Sequence, residues 1–131
     1  MEGSQKKKVL LIEDDVFMVE LLVKDFEAAG FEVTAAKTGA EGLENFEKKK
    51  TDVILLDIIL PDKNGFEVLR QIRRMPEGAN VKVLVLSNVA EGPDIEEAKR
   101  LGALEYMVKA NLTLPEIVEK VQKCLAVQQF S

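Results

Sequence analysis

Three short apolar runs, each ending in a charged or hydroxyl residue, limit the possible folds more than any other feature. Val9-Leu-Leu-Ile12 meets Glu13-Asp-Asp15, Val53-Ile-Leu-Leu56 meets Asp57, and Val81–Leu86, apolar but for Lys82, meets Ser87. Runs of this kind mark strands buried on both faces, as in a parallel sheet covered by helices. Phe31–Ala36 and Tyr106–Val108 are shorter or less apolar strand candidates. The first belongs near a sheet edge, and the second ends in Lys109.

Between the strands the apolar spacing is helical. Met18, Leu22 and Phe26 form one line over Val16–Ala29, with Val19 and Val23 beside it, and Gly30 fits a helix stop. Ala40–Lys49 turns Leu43 and Phe46 inward and carries lysines at its end, where cations suit the helix dipole. A loop with Pro61, Asn64 and Gly65 leads to a helix through Phe66, Leu69 and Ile72. Gly92-Pro93-Asp94 opens the next helix and Gly102 ends it. Thr113-Leu-Pro-Glu116 reads as a capping box before a stripe of Ile117, Val118, Val121 and Leu125. Strand and helix alternate through five units, which predicts an α/β fold: a doubly wound five-stranded parallel sheet with helices on both faces. The length of 131 residues suits one domain, 1–131, with 1–7 and 128–131 as loose ends.

Composition removes several function classes. The chain has no His, so imidazole cannot act as base, metal ligand or phosphohistidine. A single Cys, Cys124, forms no intrachain disulfide. Eighteen basic against 23 acidic residues give a net charge of −5, which works against nucleic acid and anionic membrane surfaces. No segment has the apolar length to span a bilayer, and Val9–Ile12 is too short for a signal peptide. The default location is cytoplasmic.

In an open parallel sheet, ligands bind beyond the carboxyl ends of the strands. There stand Glu13, Asp14, Asp15, Asp57, Ser87 and Lys109. Each has a bland reading taken alone. Asp14 or Asp15 caps the first helix, Asp57 begins a turn, Ser87 is a loop hydroxyl, and Lys109 is solvated. Tyr106 is more often core than switch. Together they weigh differently. Strands 1 and 3 are neighbours in such a sheet, so Glu13, Asp14 and Asp57 share one cleft. Three carboxylates repel one another unless a cation sits among them. Their oxygens suit Mg²⁺, Lys109 adds a cation, and Ser87 offers a hydroxyl to a phosphoryl oxygen. A carboxylate can itself be the nucleophile, giving an aspartyl-phosphate.

Four motifs then resemble the receiver domain of two-component response regulators, from about Lys8 to Val127. They are Leu10-Leu-Ile-Glu-Asp-Asp15, Asp57-Ile-Ile-Leu-Pro-Asp-Lys-Asn-Gly65, Leu86-Ser87 and Tyr106-Met-Val-Lys109. The resemblance implies a flavodoxin-like strand order, 2-1-3-4-5. It implies that Asp57 accepts a phosphoryl group from a sensor histidine kinase or a histidine phosphotransfer protein. Glu13, Asp14, Asp57 and the Ile59 carbonyl would hold Mg²⁺, with Asp15 a neighbour. Lys109 would pair with the phosphorylated side chain, Ser87 would bind a phosphoryl oxygen, and Tyr106 would be the coupled aromatic switch. The face read by a downstream protein would span Pro93–Leu101, Tyr106–Val108 and Thr113–Val127, in a monomer or a phosphorylation-linked dimer. If the chain is complete, it is a stand-alone, chemotaxis-regulator-like receiver.

Two positions depart from the family pattern. Ala110 stands where proline, often cis, is usual. A cis bond before a non-proline costs about 3 kcal/mol, so this loop is either trans with its own shape or strained. Asn88 follows the hydroxyl where a small residue is usual, and it can crowd the phosphoryl pocket. The resemblance also implies that Ile59 and Val89 flank the path of a hydrolytic water; neither side chain can orient one, which predicts slow autodephosphorylation.

The rivals fit less well. A haloacid-dehalogenase-type hydrolase wants a second Asp at the position of Ile59, and a flavin site wants a Gly- and hydroxyl-rich loop where three acids stand. A pseudo-receiver that never turns over is supported only by Ala110.

Overall fold

A computed structural model of the chain describes residues 6–89 and 91–127. Five parallel strands alternate with five α-helices: β1 (Lys8–Ile12), α1 (Val16–Ala28), β2 (Glu32–Ala36), α2 (Gly39–Lys48), β3 (Val53–Leu56), α3 (Gly65–Arg74), β4 (Lys82–Ser87), α4 (Gly92–Arg100), β5 (Glu105–Val108) and α5 (Leu114–Val127). The strand order is β2-β1-β3-β4-β5, the order that the family resemblance implies. The less apolar β2 is an edge strand, and the three apolar runs lie at the centre.

Alternation along each buried strand feeds two cores. Val9, Leu11, Val53, Leu55, Leu84 and Leu86 pack with Leu22 and Phe26 of α1 and Ile117 and Val121 of α5. Leu10, Ile12, Ile54 and Leu56 face the other way, onto Phe46 of α2 and Val68, Leu69 and Ile72 of α3. A smaller cluster joins Ile58, Phe66, Val85 and Ala98, with Tyr106 against it.

The helix ends follow local chemistry. Asp15, rather than Asp14, caps α1 by accepting the Met18 N–H at 3.2 Å. Gly30 and Gly102 take positive φ (96° and 81°) after α1 and α4, where a side chain would be strained. The capping box of α5 is reciprocal: Thr113 Oγ1 accepts the Glu116 N–H, and the Thr113 N–H donates to Glu116 Oε1.

Several boundaries shift by a residue or two. The second helix starts at Gly39, and Ser87 is the last residue of β4 rather than a loop residue. Lys7 is not loose, because its carbonyl accepts the Glu32 N–H at 2.9 Å. The expected loose ends at 1–5 and 128–131 lie outside the described residues. Two 3-10 turns, Pro76–Gly78 and Lys109–Asn111, have no counterpart in the sequence reading. Among the described residues no helix is long and apolar enough to cross a membrane.

Candidate functional site

The register sets the site. Ile12 pairs with Leu56, so the next residues of β1 and β3, Glu13 and Asp57, emerge side by side. Their backbones are pinned: the Asp57 N–H donates to the Ile12 carbonyl and the Glu13 N–H to the Ala36 carbonyl. Glu13 is 1% exposed and Asp57 4%, while Asp14 beside them is open to solvent. Each of the three offers a carboxylate oxygen, all within 4.8 Å of one another.

Lys109 closes the cleft from the end of β5. Its Nζ lies 2.7 Å from Asp57 Oδ2, as a hydrogen bond, and 2.7 Å from Glu13 Oε1. The ammonium is thus shared between two buried carboxylates, and Glu13 Oε1 has no partner besides it. Burial raises the Glu13 pKa, against the pull of Lys109 and the Asp15 N–H. For Lys109, burial works against the charge, but Asp57 and Glu13 outweigh it and the pKa rises. The ammonium therefore stays charged at neutral pH. Even so, one cation faces three acids. An all-oxygen donor set of two buried carboxylates that share one ammonium, with an exposed third beside them, fits a hard divalent cation.

Ser87 is fully buried at the neighbouring strand end, and its Oγ accepts the Val89 N–H at 3.2 Å. The Tyr106 hydroxyl donates to the Val89 carbonyl, tying β5 to the same loop. Burial, then the charge of Asp94, pushes the Tyr106 phenol pKa up, and the Ser87 hydroxyl pulls it down. Ile59 turns its side chain to solvent, 58% exposed, and its N–H donates to Asp57 Oδ1 at 3.0 Å. The structure thus gathers Glu13, Asp14, Asp57, Lys109, Ser87, Tyr106 and Ile59 at one end of the sheet.

The two unusual positions are settled in outline. Among the described residues no peptide bond is cis, so Lys109–Ala110 is trans, in a 3-10 turn of ordinary backbone. Asn88 is exposed, and its Oδ1 accepts the Ala110 N–H at 3.1 Å rather than facing Asp57. The sequence reading missed Asp62, whose two carboxylate oxygens accept the Gly39 and Ala40 N–H groups and cap α2 from 23 residues away. It also missed Arg73, which donates to the carbonyls of Gly78, Val81, Leu101 and Gly102 and braces the opposite end of the sheet. The Pro61-Asp62-Lys63-Asn64 loop was a signal for the first; nothing local marks the second.

Comparison with known proteins agrees with this geometry. Residues 9–122 match the response regulator receiver domain, and the chain belongs to that family. The chemotaxis protein CheY of Thermotoga maritima is 32% identical, over 79% of this chain and 85% of its own length. Sporulation initiation phosphotransferase F of Bacillus subtilis is 30% identical, over 91% of this chain and 94% of its own. A CheY-like receiver domain protein from Methanospirillum hungatei superposes with a TM-score of 0.87 at 27% identity, covering 95% of this chain and 98% of that one. Against larger transcriptional regulatory relatives, such as PhoP of Bacillus subtilis, the chain spans about half of their length or less (42% for PhoP). The chain is therefore a two-component receiver domain with a phosphoacceptor signalling role, and the pseudo-receiver reading is not favoured.

Proposed function

We propose that Asp57 is the phosphoacceptor, acting in a single receiver unit that spans the chain. The observation that carries this is the placement of a buried Asp57 carboxylate between a lysine ammonium at 2.7 Å and two further acids. An Asp57 oxygen forms a bond to phosphorus as the phosphorus–nitrogen bond of a partner's phosphohistidine breaks. The imidazole leaves with the electron pair and takes a proton from solvent. No histidine of this chain can be the donor.

Glu13, Asp14, Asp57 and the Ile59 carbonyl are the residues that would hold Mg²⁺, which neutralises charge on the transferring group. The chain's own groups do the rest. Lys109 is already at Asp57 and charged, so it stays paired with the side chain as negative charge builds there. Ser87 lies at the adjacent strand end, and turning its Oγ from the Val89 N–H to a phosphoryl oxygen draws residues 87–89 toward Asp57. Because the Tyr106 hydroxyl holds the Val89 carbonyl, that movement reaches β5 and the face of α4, β5 and α5. A phosphoryl group adds up to about two negative charges and three acceptors, enough to bias a two-state loop. The donor is a sensor histidine kinase or a histidine phosphotransfer protein, and a downstream protein reads the altered face in the cytoplasm.

Acyl-phosphate trapping tests the assignment. The protein is treated with a small acyl phosphate and Mg²⁺, then reduced with borohydride, which converts an aspartyl-phosphate to homoserine. Peptide mapping should find homoserine at position 57; finding it at another carboxylate, or nowhere in the folded protein, refutes the assignment.

A further inference from the structure

The two departures from the family pattern meet in space. The Ala110 N–H donates to Asn88 Oδ1 at 3.1 Å, across 22 residues. A proline at 110 has no N–H, so this bond exists only because residue 110 is not proline. Ala110 sits inside the one-turn 3-10 helix Lys109–Asn111, whose start has no side-chain cap of its own. Amides in the first turn of a helix lack partners within it and must find them elsewhere. Asn88 supplies that partner from the loop after β4.

On one side of the bond is Lys109, one residue from Ala110, with its Nζ on Asp57 and Glu13. On the other side are Ser87 and Val89, the residues that flank Asn88 and carry the links to each other and to Tyr106. We propose that Asn88 is a positioning residue. Through the Ala110 amide it fixes the turn that aims Lys109 at Asp57, and it ties that turn to the Ser87–Val89 segment. A side-chain hydrogen bond takes the place of the rigid proline ring. The proposal rests on reading Asp57 as the phosphoacceptor.

Both partners are exposed, so water competes for the bond and its loss should change rates by about two- to fivefold. Four proteins test it: wild type, N88A, A110P and the double variant, each checked for folding by circular dichroism. The initial rate of phosphorylation by a small acyl phosphate is measured alongside the Mg²⁺ dissociation constant. N88A should slow phosphorylation about two- to fivefold, as the loss of one exposed hydrogen bond predicts. Mg²⁺ affinity should hold, because the acids are untouched. In the A110P background, where the donor is already gone, N88A should add nothing. An equal loss in both backgrounds, or none in either, overturns the proposal.

Amide exchange at Ala110 decides the link without any phosphodonor. N88A should speed it, and N88D, which keeps an acceptor oxygen, should not; equal exchange in wild type and N88A overturns the proposal even if A110P fails to fold. A wild type that takes no phosphoryl group would defeat the reading of Asp57 while leaving this exchange test standing.

Discussion

Replacing Lys109 by methionine keeps the length of the stem and removes the ammonium. In the wild type that group pairs with two buried carboxylates at 2.7 Å each. Breaking a buried ion pair by removing one partner costs about 3–5 kcal/mol. The cleft opens to solvent at Asp14, and a carboxylate can take up a proton, so K109M should lose about 2–3 kcal/mol at pH 7 in a chelator. At about 3–4 °C per kcal/mol for a domain of this size, Tm falls by about 6–12 °C.

The loss has a pH signature. Glu13 already has a raised pKa, from burial first, with Lys109 opposing. A carboxylate with a raised folded pKa binds its proton more tightly when folded, so ionising it costs stability as pH rises above its ordinary value of 4.5. Without Lys109 that pKa rises further, so the deficit of K109M should grow once pH passes the wild-type Glu13 midpoint, above 4.5, and shrink on acidification. A Mg²⁺ ion held by the folded cleft, as proposed, should return about 2.7 kcal/mol at a hundredfold excess over its Kd. Urea unfolding of both proteins from pH 4.5 to 8, with chelator or Mg²⁺, reads all three effects. A K109M protein as stable as wild type in chelator at pH 7, or a deficit independent of pH, would refute the electrostatic account of the cleft.

Further outcomes follow from the same geometry. G65A should lose about 1–3 kcal/mol in a denaturant melt, the usual cost of overpacking. The added Cβ would lie 2.5 Å from the Asp57 carbonyl oxygen and from Ile58 Cα. Tyr106 is the single tyrosine in a chain without tryptophan, so phenolate absorbance titrates it alone. Its midpoint should lie above 10.0 in the folded protein and fall in denaturant, and stability should drop as pH rises past 10.0. The phosphorylated protein should hydrolyse slowly without a phosphatase, and I59N and V89R should each change that rate. Rapid loss from the wild type would contradict the role given to these two apolar side chains.

The central strands were legible because burial on both faces demands apolar residues there. Val53–Leu56 has no polar residue and four residues are too few for a helix, which leaves a strand covered on both faces. The first carboxylates of the site were legible for a related reason: they stand immediately after such runs, and parallel register brings strand ends together. Caps written within four residues, at Asp15 and at Thr113 and Glu116, were readable from short-range chemistry. The cap on α2 by Asp62 and the four carbonyls bound by Arg73 were not, because their partners lie far away in sequence. Ala110 and Asn88 show the limit most clearly. Each is conspicuous in the sequence as a departure, but only the fold brings β4 and β5 side by side and reveals that one answers the other.

The most direct test of the central assignment is the intact mass of the protein after exposure to a small acyl phosphate, with Mg²⁺ or with chelator, beside D57N. The wild type should gain one phosphoryl group with Mg²⁺ and none with chelator, and D57N should gain none. A gain that persists in D57N, or no gain in a folded wild type with Mg²⁺, would contradict the assignment.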